Sequence, residues 1–213
     1  MAEPISPVAL HPLWRAFELA DLEEVARSSL VGKSPEQVVV VPPDPTWPDR
    51  YDVVAARVRT ALGDRVLSLE HVGSTSVPGL WAKPVIDVDL VVEDSAREDA
   101  YVPDLEAAGF VLRAREPHWQ EHRVFRGQAP ASVLHVWSPD SQEPARHLVF
   151  RDWLRTHDDD RAAYGALKAE LGTRGFTDGM DYNNHKAALV YDIYERIFAA
   201  DPEQPHVPRP RTS

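Results

Sequence analysis

The sequence has no cysteine, which excludes a disulfide framework, a thiol nucleophile and every cysteine-based zinc or iron–sulfur site. It also lacks a long apolar run. Stretches such as Val38–Val41 and Leu90–Val92 fall far short of the roughly 20 residues that a membrane-crossing helix needs. Positive charge is in deficit, with 23 Lys and Arg against 34 Asp and Glu and a formal net charge of -11. That balance argues against binding to nucleic-acid polymers or anionic membranes, where basic surface supplies the attraction. Acids and prolines stand at the N-terminus where a secretory signal needs a basic start and an apolar stretch, so a cytoplasmic protein is expected. The chain is nonetheless rich enough for a packed core. Its 213 residues are 43% hydrophobic, a size that fits one elaborated domain or two small ones.

Nineteen prolines mark the joints. Residues 1–37 read as an N-terminal extension: a loosely ordered head to Pro12, then an amphipathic helix within Leu13–Leu30. Residues 38–200 read as the main domain and 201–213, with four prolines and no apolar face, as a disordered tail. Within the domain, Val38–Val41 is β-prone and stops at Pro42-Pro43-Asp44-Pro45, a rigid turn. A helix is expected over Asp49–Leu62, closed by Gly63, then strands over Arg65–Val72 and Val85–Glu93. A helix over Ser95–Ala108 follows, with Ser95 as N-cap. Three shorter strands (Phe110–Arg115, Arg123–Arg126, Ser132–Trp137) precede helices over Glu143–Thr156, Asp159–Gly172 and Tyr182–Ala200. Strands mixed with helices and followed by a helical block give an α/β or α+β fold.

The densest chemical signal is Glu70-His71-Val72-Gly73-Ser74-Thr75-Ser76, followed after a Pro-rich connection by Val85-Ile86-Asp87-Val88-Asp89-Leu90. Side chains two apart on a strand share a face, so Asp87 and Asp89 project together while Ile86, Val88 and Leu90 point to the core. Adjacent carboxylates repel unless a cation or proton lies between them. Paired oxygens suit Mg²⁺, which keeps waters and completes its shell with substrate phosphates. The Gly73-Ser74 turn lets backbone N–H groups and a hydroxyl approach those phosphates. The competing structural reading is a solvated strand face beside an ordinary turn. The apolar setting of the two aspartates favours function, since an outward structural face would carry Thr or Lys.

Gly-Ser followed twelve residues later by Asp-hydrophobic-Asp is similar to the signature of the nucleotidyltransferase fold. More narrowly, the segment from His71 through Val72-Gly73-Ser74-Thr75 and Trp81-Ala82-Lys83-Pro84 to Asp89 resembles the GrpB family, which is assigned to that fold. Val41-Pro-Pro-Asp-Pro-Thr-Trp-Pro48, Leu134-His-Val136, Phe150-Arg-Asp-Trp-Leu-Arg155, Tyr164 with Lys168, and Tyr182 with Lys186 extend the resemblance from about Val38 to Phe198. It implies a nucleotidyltransferase-like mixed β-sheet flanked by helices, with a helical C-terminal portion. The implied activity is Mg²⁺-dependent nucleotidyl transfer from an NTP, ATP being the first choice, to a small-molecule acceptor. Asp87 and Asp89 would ligate metal, and Gly73, Ser74 and Thr75 would position the triphosphate. Some members of the family are fused to a dephospho-CoA kinase domain. Enzymes of the fold generally carry a third carboxylate on a later strand, where this chain has His135. Four readings follow: His135 is the general base, or Glu70, Glu121 or Asp140 folds in, or one metal suffices, or a nucleotide is bound without turnover.

Lys83, Arg123, Arg151, Lys168 and Lys186 supply cations for phosphate or for a carboxylate acceptor, whereas surface ion pairs suit Arg155 and Arg161. His118 and His122 are four apart, but they fall after Pro117 in a stretch that reads as strand or loop rather than helix, and they lack a zinc-site pattern. His71 could orient a phosphate or serve as a hydrogen-bonded structural histidine. Between Arg113 and Lys186 the chain holds 11 basic and 11 acidic residues, so the excess of acid lies outside the segment that carries most of these cations.

Overall fold

The computed structural model describes residues 9–30 and 37–211. The first eight residues of the expected loose head, where a signal would begin, lie outside the described residues, as do the last two of the tail. The described elements run α1 (Leu22–Ser28), α2 (Trp47–Leu62), β1 (Ser68–Val72), β2 (Ile86–Val91), α3 (Val102–Ala107), β3 (Phe110–Glu116), β4 (His122–Gln128), β5 (Ala131–Trp137), α4 (Glu143–Thr156), α5 (Asp158–Gly172) and α6 (Gly179–Ala200). The five strands form one mixed sheet in the order β1-β2-β5-β4-β3. Only β2 and β5 run parallel; the other three pairings are antiparallel. The fold is α+β, a mixed sheet flanked by helices.

One sheet face carries the main core. Val54, Val58 and Leu62 recur every four residues on α2, and Gly63, with φ +55°, ends the helix. Together with Leu105 of α3 they pack on Leu69, Ile86, Val88, Leu90, Phe125, Leu134 and Val136. Fully burying each such side chain is worth about 1.5–3 kcal/mol, so this face holds the sheet to α2 and α3. The residues alternating with them, Glu70, Asp87, Asp89 and His135, are therefore turned to the other face. There α4, α5 and α6 gather round a second cluster of Val77, Leu80, Leu154, Tyr164, Ile193 and Phe198.

Three expected elements differ from the structure. The helix expected within Leu13–Leu30 is confined to α1, where Asp21 caps the N–H groups of Glu23 and Glu24. Upstream, Leu13 and Trp14 pack against the α6 cluster, and Asn184 exchanges hydrogen bonds with the backbone of Ala20. The helix expected from Ser95 begins only at Val102. Ser95 is instead tied to Ser138, and its carbonyl accepts the Tyr101 hydroxyl. The tail expected to be disordered lies along α6 through residue 211. His206 Nε2 and the Arg209 backbone N–H both donate to Glu195 Oε2, and Tyr191 bonds the Arg209 carbonyl. Polar anchoring replaces the apolar face that the tail lacks.

Candidate active site

The site forms where β2, the turn after β1 and the C-terminal helices meet. Gly73 has φ +65°, and a Cβ there would lie 2.5 Å from Asp87 Oδ2 and 2.9 Å from the Asp87 Cβ. Glycine is therefore required twice, by backbone conformation and by the approach of the carboxylate. A single 3₁₀ turn, Ser74–Ser76, follows, and Arg155 donates two hydrogen bonds to the Ser76 carbonyl at 3.1 and 2.8 Å. Sequence reasoning assigned Arg155 to a surface ion pair. It does pair with Asp152, but it also fixes the turn.

Asp87 and Asp89 share a face, as the period of two requires, and their environments differ. Asp89 is 2% exposed. Its Oδ1 accepts from Trp137 Nε1 at 3.0 Å and its Oδ2 from His147 Nδ1 at 2.8 Å. Burial raises its carboxyl, but the charge and hydrogen bond of His147 outweigh that, and the net shift is downward. His147 is displaced upward: burial lowers it and Asp89 more than compensates, so the two form an ion pair. Asp87 is more open, with Oδ1 4.0 Å from His135 Nε2. Burial raises Asp87 too, and His135, Lys83 and Arg126 together bring it below the ordinary carboxylate value.

His135 stands in register with Asp89 across the parallel β2–β5 pair, so an imidazole occupies the neighbouring strand where the resemblance led us to look for a third carboxylate. Glu70 is directly opposite Asp89 on β1 and is held by Arg151 Nη1 at 3.0 Å. Glu121 is turned to Arg123.

Three lysines from three segments converge on the other side of Asp87. Lys168 of α5, 3% exposed, donates to Ser74 Oγ. Lys186 of α6 lies 4.5 Å from the Tyr182 ring and 6.0 Å from Tyr164, while Lys83 lies 5.4 Å from Tyr182. Burial, followed by the repulsion of Lys186, holds Lys168 well below the usual ammonium range, with Lys83 adding to the repulsion and Asp87 opposing it. Burial pushes Lys186 down to about 8, again opposed by Asp87. Tyr164 is pushed up to about 12 by burial, and the buried Tyr182 hydroxyl makes no hydrogen bond. Such a cluster of mutually repelling, partly desolvated cations is arranged to receive anionic charge.

Other expected residues lie elsewhere. Thr75 is buried, accepting from His71 Nε2 at 3.0 Å and donating to the Val85 carbonyl, so its hydroxyl is not presented to the site. His71 faces the α2 side, stacked on Tyr51 with ring centroids 4.7 Å apart, and burial lowers it to about 4. Arg123 is in register with Val136 and hence on the core face, where Glu98 and Glu121 hold it. It cannot reach a phosphate at Asp87 from there. Arg151 is on the site's side of the sheet but is already bonded to Glu70, Asp152 and the His71 carbonyl. His118 is exposed beside Glu24, whereas His122 lies in the interior next to His135. His147 and Arg126 join the site without being singled out from sequence, as does Trp137, which the sequence marks only as a core or pocket-wall residue. The i, i+4, i+8 spacing of Glu143, His147 and Arg151 on one helix face was the available signal for the first.

Paired carboxylates are the kind of donors that suit a hard divalent ion keeping waters and phosphate oxygens in its shell; here Asp87 is the more open of the two, while both Asp89 oxygens are engaged by Trp137 and His147. Among the described residues, no three acidic or imidazole side chains come together as a complete metal cage, so substrate oxygens would have to complete the coordination.

The GrpB protein family profile matches residues 37–196. A UPF0157 protein from Halalkalibacterium halodurans is 49% identical over 156 residues, spanning 73% of this chain and 80% of that one. A dephospho-CoA kinase from Mycolicibacterium paratuberculosis is 31% identical over 76% of this chain but only 46% of its own length. Among solved structures, the conserved protein GrpB from Enterococcus faecalis superposes with a TM-score of 0.66 at 30% identity, covering 75% of this chain and 96% of that one.

Proposed function

The chain belongs to the GrpB family, and from that premise we propose that it is an NTP- and Mg²⁺-dependent nucleotidyltransferase acting on a small-molecule acceptor. One observation carries the reading: Asp87 lies between a glycine turn, an aspartate–histidine face and three converging lysines. Asp87 and Asp89 would hold Mg²⁺, which neutralises charge on the phosphate oxygens when bound. Lys83, Lys168 and Lys186 grip the triphosphate, ATP being the first to test, and the Gly73-Ser74 turn admits its oxygens closely. In transfer, an acceptor oxygen bonds to the α-phosphorus as the bond from that phosphorus to the bridging oxygen breaks. Pyrophosphate leaves with the electron pair, and where the acceptor is a hydroxyl its proton passes to His135 Nε2; a carboxylate acceptor attacks already deprotonated. Holding both reactants in line is the protein's main contribution. No described helix is long and apolar enough to cross a membrane, and the cytoplasm is where this reading places the activity. The test is incubation with each NTP, Mg²⁺ and a pool of small carboxylate and hydroxyl metabolites. Pyrophosphate release that disappears in Asp87→Ala and Asp89→Ala is expected; no release with any NTP would sink the reading.

A second reading, a non-catalytic nucleotide- or coenzyme-binding accessory protein, is favoured by the engagement of both Asp89 oxygens. The similarity to a protein named dephospho-CoA kinase, of which this chain spans under half, points the same way. Calorimetric binding of ATP or CoA without pyrophosphate release would support it over the first.

A further inference from the structure

A buried polar chain runs across three strands behind His135. His135 Nδ1 is 3.1 Å from His122 Nε2, and His122 Nδ1 is 2.6 Å from Glu116 Oε2. Glu116 and His122 face each other in the β3–β4 register. The His122 ring is buried and stacks on Trp137 at 3.9 Å and 13°, with the edge of Trp119 5.0 Å away. Its orientation is thus fixed by packing as well as by hydrogen bonds.

The protons along this chain can be assigned in order. The Glu116 carboxyl is displaced downward, burial raising it and the neighbouring histidines, His122 first through its hydrogen bond, together outweighing that, so it is an acceptor only. His122 must then carry its proton on Nδ1. Burial lowers His122 to about 4, so the ring is neutral and its Nε2 can only accept. His135 must therefore donate from Nδ1. Its remaining nitrogen, Nε2, faces the site, 4.0 Å from Asp87 Oδ1.

We propose that Glu116 and His122 are positioning residues that hold a proton on His135 Nδ1, so that Nε2 is the nitrogen that takes and gives a proton on the Asp87 side of the site. This rests on the reading of His135 as the proton acceptor there. It supplies what an absent third carboxylate would otherwise provide: an acceptor of fixed direction, set by a second layer of hydrogen bonds.

The test uses the full chain labelled with ¹⁵N in histidine. Ring nitrogen shifts at neutral pH report the tautomer of each imidazole, and His135→Asn assigns the His135 signals. The expected wild-type result is a protonated Nδ1 on His135. His122→Phe should return the proton to Nε2. Glu116→Gln, which keeps the shape and removes the charge, should lower the share of the Nδ1–H form even if the first variant fails to fold. Where turnover is present, either variant should lower kcat about 10–100-fold with KM for the NTP changed less than threefold. An unprotonated Nδ1 on His135 in the wild type, or proton positions unchanged by both variants, would overturn the inference. The nitrogen shifts decide this whether or not pyrophosphate is released, so failure of the positioning claim and failure of the transferase reading are separately visible.

Discussion

At the residue scale, Gly73 bears most directly on the site, because a methyl group there meets a carboxylate that the proposed chemistry needs. Gly73→Ala combines a strained positive φ with a 2.5 Å clash against Asp87 Oδ2, whereas Gly79, at φ +80°, has nothing within 4 Å of a Cβ. Gly79→Ala should therefore show the conformational cost alone, about 1–3 kcal/mol. Gly73→Ala should cost more in urea titrations and should also displace Asp87, with loss of nucleotide binding. Equal losses for the two variants would mean that the contact with Asp87 is unimportant. Lys168 makes a complementary case. A buried ammonium beside two other lysines costs stability in the unliganded protein. Lys168→Met should therefore leave the thermal midpoint unchanged or raised, while abolishing the stabilisation that Mg²⁺-ATP gives the wild type.

These two residues also show what could be read in advance. Asp87 and Asp89 were legible because a strand's period of two depends on sequence alone. The match of His71-Val72-Gly73-Ser74 to a known segment marked the turn. The face of Arg123 could have been read from Phe125, whose large apolar ring two residues on belongs to the core; the resemblance placed Arg123 in the site and the alternation places it outside. The pairing of His147 with Asp89 was not legible, because Asp89 is 58 residues away and only the packing of α4 onto the sheet brings them together.

At the scale of elements, α2 matches its expected span closely and α4 matches it throughout, since periodic apolar faces and strong stops define both. The tail differs because its anchoring is polar and non-local. Glu195 of α6 accepts from Trp14 Nε1 at 2.6 Å on one oxygen and from His206 and Arg209 on the other. It thereby joins the N-terminal segment, α6 and the tail. Glu195→Ala should leave these donors unsatisfied and cost about 1–3 kcal/mol in chemical denaturation. Limited proteolysis should then cut the variant within residues 202–211 faster than the wild type.

At the scale of the whole molecule, the buried histidines couple folding to pH. His71 and His122 are both held at about 4 in the fold, against an ordinary value of 6.5. Below pH 6.5 the unfolded chain takes up protons that the folded chain refuses until about pH 4. Stability should thus be level on this account above pH 6.5 and fall as pH drops through that window. Each histidine contributes a limiting slope of about 1.4 kcal/mol per pH unit. His147, displaced upward by Asp89, is protonated in both states below pH 6.5 and adds no slope there. Unfolding free energies measured between about pH 6 and 5, above the range where most carboxylates titrate, should show a slope that His71→Gln roughly halves. An unchanged slope in that variant would contradict the assignment of His71 as a neutral buried ring.

The molecule as a whole is acidic, yet Lys83, Lys168 and Lys186 converge beside Asp87, where one phosphorylated ligand would sit. The most direct measurement of that claim is calorimetric titration with a non-hydrolysable ATP analogue, with and without Mg²⁺, on the wild type and Asp87→Asn. Binding that needs Mg²⁺ and is lost in Asp87→Asn is the expected result. Affinity indifferent to both the ion and the carboxylate would contradict the account.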